Sequence, residues 1–374
     1  MDWLDWLLLA VRVVVVFFGL LISVLLYIWF ERKVIADMQT RMGPMRAGPR
    51  GVLVTLADGI KLFFKEGILP TAADRPVYLI APVIAMFPGF LAFCTIPFGT
   101  GVTLWGREVP FQIVDLNIGI LWVLAMTSIA VYGVVLAGWS SGSNYPLLGA
   151  VRSSAQMISY EVAMGLSLVA VLMYSGHLSF SEIVAAQDRV WNVLPMFPAF
   201  VVYMICAIAE TNRPPFDLAE AESELVAGFH TEYSGITFAM FFLGEYVSTV
   251  TVAAIGVTLF LGGWRGPAPD FLPWLWPLLW FLFKVTLVIY VFVLVRGTLP
   301  RVRYDRLMAF GWKVLIPFGL LWVLATGVIV VVPDHLGLDR GTVLRWAAVA
   351  VGVALVLSFI PLGRRAAPGA EVRR

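Results

Sequence analysis

Charge is scarce in this sequence. Of 374 residues, 13% are charged and 60% are hydrophobic, whereas soluble domains carry about 25% charged residues. That excludes a water-soluble globular protein. Cysteine is nearly absent: Cys94 and Cys206 both lie in apolar stretches and cannot hold an iron–sulfur cluster between them. His177, His230 and His335 are scattered, without zinc spacing. No glycine-rich dinucleotide or phosphate loop occurs. There is no internal repeat, and no pair of interrupted apolar segments of the kind that marks many transporter folds. The net charge of +2 says nothing about nucleic acid, because the Lys and Arg residues follow membrane topology. Any electron chemistry is carried by another polypeptide or by a bound small molecule.

What the chain has instead is long charge-free runs: 13–30, 76–106, 116–151, 190–209, 246–264, 314–333 and 346–363. A helical span takes about 20 apolar residues, and only helices or closed barrels satisfy the backbone in lipid. The runs lack the alternation of barrel strands, so the fold class is all-α, a polytopic helical membrane protein. Nine spans are expected, near 6–30, 76–98, 117–138, 156–175, 194–211, 238–261, 274–296, 313–332 and 343–362. The first reads as a span and not as a secretory leader, since Asp2 and Asp5 precede it and its apolar run is long. Basic residues concentrate in 31–75, in 296–313 and in the tail after 363; the other side has only Arg107, Arg189, Arg265, Arg340 and Arg345. By the positive-inside rule the N-terminus is outside and the C-terminus cytoplasmic. The whole chain reads as a single membrane domain, 1–374.

Two polar segments punctuate it. In 31–75, Leu53, Leu56, Ala57, Ile60 and Phe64 recur at helical spacing beside Asp58, Lys61 and Lys65. That predicts a short amphipathic helix at the interface. The preceding Gly-Pro pairs (Gly43-Pro44, Gly48-Pro49) enforce irregular chain. Glu31-Arg32 and Asp58/Lys61 look like paired groups. The other segment, 210–237, gathers Glu210, Asp217, Glu220, Glu222, Glu224 and Glu232 between two apolar stretches. Asp217 and Glu220 have the spacing of a capping box. On the helix that follows, Glu222 falls near the apolar stripe of Leu218, Ala221, Leu225 and Phe229, with Glu220 and Glu224 opposite.

Ionisable residues inside spans default to functional hypotheses, because each costs about 2.5–3.5 kcal/mol at a helix centre. From the cytoplasmic ends expected above, Glu210 sits at the surface and Glu161 about 7 Å in. Glu245 lies about 10 Å in and Lys284 about 18 Å. They form a staircase toward the midplane, and neighbouring carboxylates there suit proton relay. His230 reads as a hydrogen-bonded structural residue.

Four blocks carry a family resemblance. They are ERKVIADMQTRMGPMRAGPRG with LADGIKLFFKE; AVYGVVLAGWSSGSNYPLLGAVRSSAQMISYEV; AETNRPPFDLAEAESELVAGFHTEYSGITFAMFFLGEY; and RYDRLMAFGWKVLIPF. They resemble the quinone-site membrane subunit of respiratory complex I. In bacteria that family is the H subunit of proton-pumping NADH:quinone oxidoreductase, and in mitochondria it is NADH dehydrogenase subunit 1. The resemblance implies a component that forms the quinone chamber with the peripheral arm and couples quinone reduction to proton translocation. It implies quinone, ubiquinone or menaquinone, as substrate, with no metal, iron–sulfur cluster or covalently bound cofactor in this chain.

Implied partners are the peripheral-arm iron–sulfur and quinone-site subunits, the small and antiporter-like membrane subunits, and the lipid of a bacterial cytoplasmic membrane. Carried over residue by residue, the coupling path comprises Glu161, Glu210, Glu220, Glu222, Glu224, Glu232 and Glu245, with Lys284 added from its depth. The quinone chamber comprises Glu31, Arg32, Asp58, Lys61, Arg213, Asp217 and Arg296. The sequence departs from the family at Met45, at Ala219, and in the third span. There Thr127, Ser128 and Ile129 stand where some members carry an acid. The rival readings are the matching subunit of a membrane-bound hydrogenase and a freestanding ion transporter.

Overall fold

In the first helix, α1 (Trp3–Met38), the buried positions include Leu20, Val24, Tyr27 and Glu31. Their spacing of four, three and four residues makes one stripe of a 3.6-residue helix. Most other side chains of α1 face outward and are apolar, as they must be where a helix meets lipid. Glu31 is buried because it continues the core stripe. A computed structural model describes residues 3–104, 106–217, 227–269 and 272–336 of the chain.

After α1 the Gly-Pro segment is irregular, as expected, apart from a single 3₁₀ turn at Pro49–Gly51. Gly51 has φ +77, and a Cβ there would meet the Pro44 carbonyl oxygen at 2.5 Å, so glycine is required. The expected amphipathic helix follows as α2 (Val54–Phe64). It is tied to α1 by the Thr55 hydroxyl, which donates to Leu25 O at 3.1 Å. Then come α3 (Arg75–Phe93), a two-stranded antiparallel hairpin of β1 (Val102–Leu104) and β2 (Arg107–Val109), α4 (Gly119–Ser140), α5 (Asn144–Ser175), α6 (Phe180–Ala186) and α7 (Phe197–Glu210). A 3₁₀ turn at Gly228–His230 leads to α8 (Gly235–Phe260) and α9 (Leu275–Thr298). The last described span starts as α10 (Tyr304–Phe310), passes through a π turn (Gly311–Leu315), and continues as α11 (Ile316–Leu336).

Among the described residues seven helices, taking α10 through α11 as one, are long and apolar enough to cross a membrane. The chain is a membrane protein of the expected all-α class. Three of the nine expected spans need comment. The fifth is a helix of only 14 residues, α7, about 21 Å long and buried on most faces. The ninth, 343–362, lies outside the described residues. The fourth starts at Asn144, twelve residues before the expected boundary. Sequence reading stopped it at a polar run, but Ser153, Ser154, Gln156 and Ser159 are buried against protein and leave the helix intact.

The middle of the bundle is α8, whose side chains from Tyr246 to Phe260 are almost all buried; it packs on α1, α3, α7 and α9. Apolar burial does not by itself draw helices together in lipid, so close packing through small residues carries the association. A Cβ on Gly133 of α4 would lie 2.4 Å from Ala85 N of α3, and one on Gly138 would lie 2.2 Å from the Ala150 Cβ of α5.

The polar loops separate to two ends. At one end the segments 39–74, 141–143, 211–217, 227–234 and 299–303 meet: Ile68 N donates to Ser234 Oγ at 2.8 Å, Asp74 N to Ser140 O at 3.0 Å, and Val302 N to Pro215 O at 3.0 Å. At the other end the hairpin, α6 and the 261–269 loop meet, with Asp5 paired to Arg107 and Asp188 to Arg265.

Candidate functional site

The loop-rich first end holds the candidate site. Glu31 is 3% exposed and accepts two bonds, from the Tyr246 hydroxyl at 2.7 Å and from Arg296 Nη1. Three helices therefore meet on one carboxylate: α1 supplies the acid, α8 the phenol and α9 the guanidinium. Arg213, 7% exposed, lies with its guanidinium 4.0 Å from the centre of the Tyr246 ring, a cation–π distance. Tyr27 packs edge-on against Tyr246 with ring centres 5.1 Å apart. The cluster borders a recess of ≈ 430 Å³ whose wall includes Glu31, Tyr246 and Arg296 together with the apolar Ile28, Ile35 and Phe242.

The pairing differs from the sequence expectation. Glu31 pairs with Arg296 and not with its neighbour Arg32, which reaches Asp58 of α2 at 2.8 Å. Asp58 does hold Lys61 as expected, at 3.5 Å. This triad is more than a third exposed at each member, where an ion pair adds only about 0–1 kcal/mol. It holds α2 in register with α1 without burying charge. Asp217 is buried and accepts from Arg301 Nη2 at 3.1 Å, anchoring the 211–217 segment to the loop after α9.

Further polar groups gather at the same end. His230 is buried among Phe229, Phe238 and Phe241. Its Nε2 stands 3.6 Å from Glu245 Oε1 on α8. Burial pushes the imidazole down from its ordinary 6.5 to about 4, so it is neutral near pH 7. Glu210, at the end of α7, is buried and close enough to Glu161 of α5 for the two carboxylates to interact electrostatically. Glu161 Oε1 accepts from Thr127 Oγ1 at 3.2 Å and from Ser128 Oγ, both on α4. Gln156 fastens the turn after α7, donating from Nε2 to Ala209 O and Phe216 O, each at 2.7 Å.

Several buried polar atoms here have no hydrogen-bond partner among the described residues: Glu210 Oε2, Asn212 Oδ1, Arg213 Nε and Nη2, Gln156 Oε1 and His230 Nδ1. Buried polar atoms in native proteins are otherwise paired with protein or ordered water. Their gathering around 210–217 and 228–230 marks the polar interior of this end.

Glu31, Arg213, Arg296, Glu245, Glu210 and Glu161 are thus drawn into one region. Glu232 lies nearby, its carbonyl accepting from the Tyr78 hydroxyl at 2.9 Å. Glu220, Glu222 and Glu224, with the expected capping box and the face assigned to Glu222, lie outside the described residues. Lys284 is not brought to this group. Its ammonium donates to three carbonyls of the loop after α8, Leu261 O at 2.7 Å, Gly263 O at 3.0 Å and Arg265 O at 2.6 Å, and sits 4.3 Å from the Trp191 ring centre. Leu261 is sixteen residues beyond Glu245, about 24 Å along the helix.

Sequence reasoning overlooked Tyr246, Thr127 and Ser128 as partners of the acids, and Gln156 as the anchor of the turn after α7. Only Tyr246 had a local signal, standing next to Glu245.

Residues 11–327 match the family described as NADH dehydrogenase. The chain belongs to that family. It is 53% identical to the H subunit of NADH-quinone oxidoreductase from Frankia casuarinae over 362 residues, covering 96% of this chain and 80% of that protein. The counterpart in Frankia alni is 52% identical over 362 residues, covering 96% and 80%. Membership in the NADH dehydrogenase family favours a membrane subunit of an NADH–quinone oxidoreductase over a hydrogenase counterpart or a freestanding transporter.

Proposed function

We propose that this chain, as one membrane domain, is the subunit of a proton-translocating NADH:quinone oxidoreductase that forms the quinone chamber with the peripheral arm. It relays the consequence of quinone reduction into the membrane. The observation that carries the reading is Glu31: a buried carboxylate shared by Tyr246 and Arg296, in the wall of a recess that also carries the apolar Ile28, Ile35 and Phe242. A quinone combines an apolar tail with two carbonyl oxygens that take up protons on reduction. An apolar wall edged by phenol and guanidinium donors suits its passage. This chain reduces nothing alone; the electrons come from the peripheral-arm iron–sulfur subunits, and the groups that bind the quinone head lie largely on those partners.

The mechanism follows from charge. Reduction of the quinone draws protons and alters the charge balance beside Arg213, Arg296 and Glu31. Two unit charges 4 Å apart interact by about 4 kcal/mol at an effective dielectric of 20, enough to move a proton between neighbouring carboxyls. Glu245 beside neutral His230, then Glu210 and Glu161, are the groups placed to respond. Glu220, Glu222, Glu224 and Glu232 belong to the same acidic route, which passes its signal to antiporter-like subunits. Arg32, Asp58, Lys61 and Asp217 shape the chamber mouth. We leave Lys284 out of the route, since its ammonium is held by backbone at the far end. The basic loops support a cytoplasmic chamber end with the N-terminus outside; on this reading the membrane is a bacterial cytoplasmic one and the substrate is ubiquinone or menaquinone.

The test is made in the assembled complex. Glu161→Gln and Glu245→Gln should leave assembly intact and cut coupled quinone reduction. Undiminished pumping in both variants would reject the proposal.

A further inference from the structure

The third span has no charge at all, yet it supplies the hydrogen-bond partners found for Glu161. Thr127 Oγ1 lies 3.2 Å from Glu161 Oε1 and 3.0 Å from Leu124 O of its own helix. Ser128 Oγ contacts the same Oε1 and lies 2.9 Å from the same Leu124 O. Each hydroxyl carries one proton and has two acceptors within reach, and it cannot donate to both at once. A hydroxyl also has lone pairs with which to accept. The four groups are therefore compatible with two complete patterns. With Glu161 ionised, both hydroxyls point their protons at Oε1. With Glu161 protonated, its O–H donates to one hydroxyl oxygen, and the hydroxyls turn their protons to Leu124 O. The carboxyl gains or loses one proton between the patterns; the two hydroxyl protons change acceptor, and no backbone hydrogen bond of α4 or α5 has to break.

We propose that Thr127 and Ser128 are positioning residues that act as a hydroxyl rotor, keeping Glu161 hydrogen-bonded in both protonation states and so making it a reversible proton site. This rests on the role given to Glu161 above and extends it to a helix without a charged residue. A fixed donor such as a backbone N–H would leave the acid's O–H without an acceptor, and a fixed acceptor would serve only the acid. In a low-dielectric setting, leaving either state unpaired biases the site toward the other. Threonine and serine on adjacent positions reach the same oxygen because both bend back on one carbonyl, by i−3 and i−4 bonds respectively.

The test uses the whole complex in membrane vesicles, with infrared difference spectra recorded between its oxidised and quinol-reduced states. Glu161→Gln first identifies the carboxyl band of Glu161. Thr127→Val/Ser128→Ala should shift that band and lower the coupled turnover number several-fold, with KM for quinone unchanged. Ser128→Thr, which keeps a hydroxyl, should leave the band in place. A band that does not move in the double variant overturns the rotor, whatever the activity. If the double variant shifts the band while Glu161→Gln pumps normally, the rotor stands and the coupling role of Glu161 falls.

Discussion

Glu31 shows how one residue can be held in an environment that its chemistry resists. It is buried because its place on the α1 stripe leaves it no other direction, and it is tolerated because Tyr246 and Arg296 both donate to it. Glu31→Gln keeps an acceptor for Tyr246 and removes the negative charge from beside Arg296 and Arg213. Removing one partner of a buried pair costs about 3–5 kcal/mol; with the Arg296 side chain 31% exposed, the lower end or less is expected. In the assembled complex this variant should lose quinone reductase activity several-fold, with a higher KM for quinone. Unchanged kinetics would detach the cluster from the chamber. His230 makes a pH-dependent case. Glu245 at 3.6 Å favours the imidazolium, but burial among three phenylalanines outweighs it and the folded group titrates near 4 against 6.5 unfolded. Between those values the unfolded chain binds more protons, so stability falls with falling pH. The contribution is complete above about pH 6.5 and is lost toward pH 4. Thermal melting of the complex across that window should show a steeper acid loss than in His230→Gln; identical slopes would contradict the burial argument.

At the scale of elements, the legible parts were those written in local pattern. Apolar runs gave the helices, and the spacing of Leu53, Leu56, Ala57, Ile60 and Phe64 gave α2. The start of α5 was misplaced because polarity was taken for exposure, whereas Gln156 and Ser153 are buried at 0%. The late start of α7 was invisible because Leu194 and Met196, just before it, are as apolar as the helix itself. Partners such as Arg296 for Glu31, more than 260 residues apart, depend on helix packing that no local pattern records. The same holds for Thr127 and Ser128, which look like ordinary hydroxyls of an apolar helix until α5 is laid beside them. Packing itself turns on small contacts. Gly133→Leu would drive a side chain into the Ala85 backbone, since even the Cβ lies 2.4 Å from Ala85 N. Overpacking of this kind costs about 1–3 kcal/mol or more. The expected result is a lower melting temperature and a lower yield of assembled complex, with KM for quinone unchanged in what assembles; a normal melt would show that α3 and α4 can part without cost.

Across the whole molecule the two ends do different work. One end gathers acids around buried polar atoms that lack partners among the described residues. The other closes its ionic groups on each other, Asp5 with Arg107 and Asp188 with Arg265, and its polar side chains on backbone, as Gln187 does with Thr258 O at 2.9 Å. Lys284 decides between two views of the bundle. Its depth from the cytoplasmic side invites a place on the proton route, but its three donors are taken by Leu261, Gly263 and Arg265 carbonyls. A charged donor contributes about 1.5–3 kcal/mol per hydrogen bond, so the ammonium ties the loop after α8 to the middle of α9. Lys284→Met fills similar volume and removes all three bonds. It should lower the melting temperature of the complex and loosen the 261–265 loop to proteolysis or hydrogen exchange. The number of protons moved per quinone reduced should not change. The opposite result, intact stability with fewer protons moved, would return Lys284 to the coupling route and would mean that the polar path crosses the bundle from end to end.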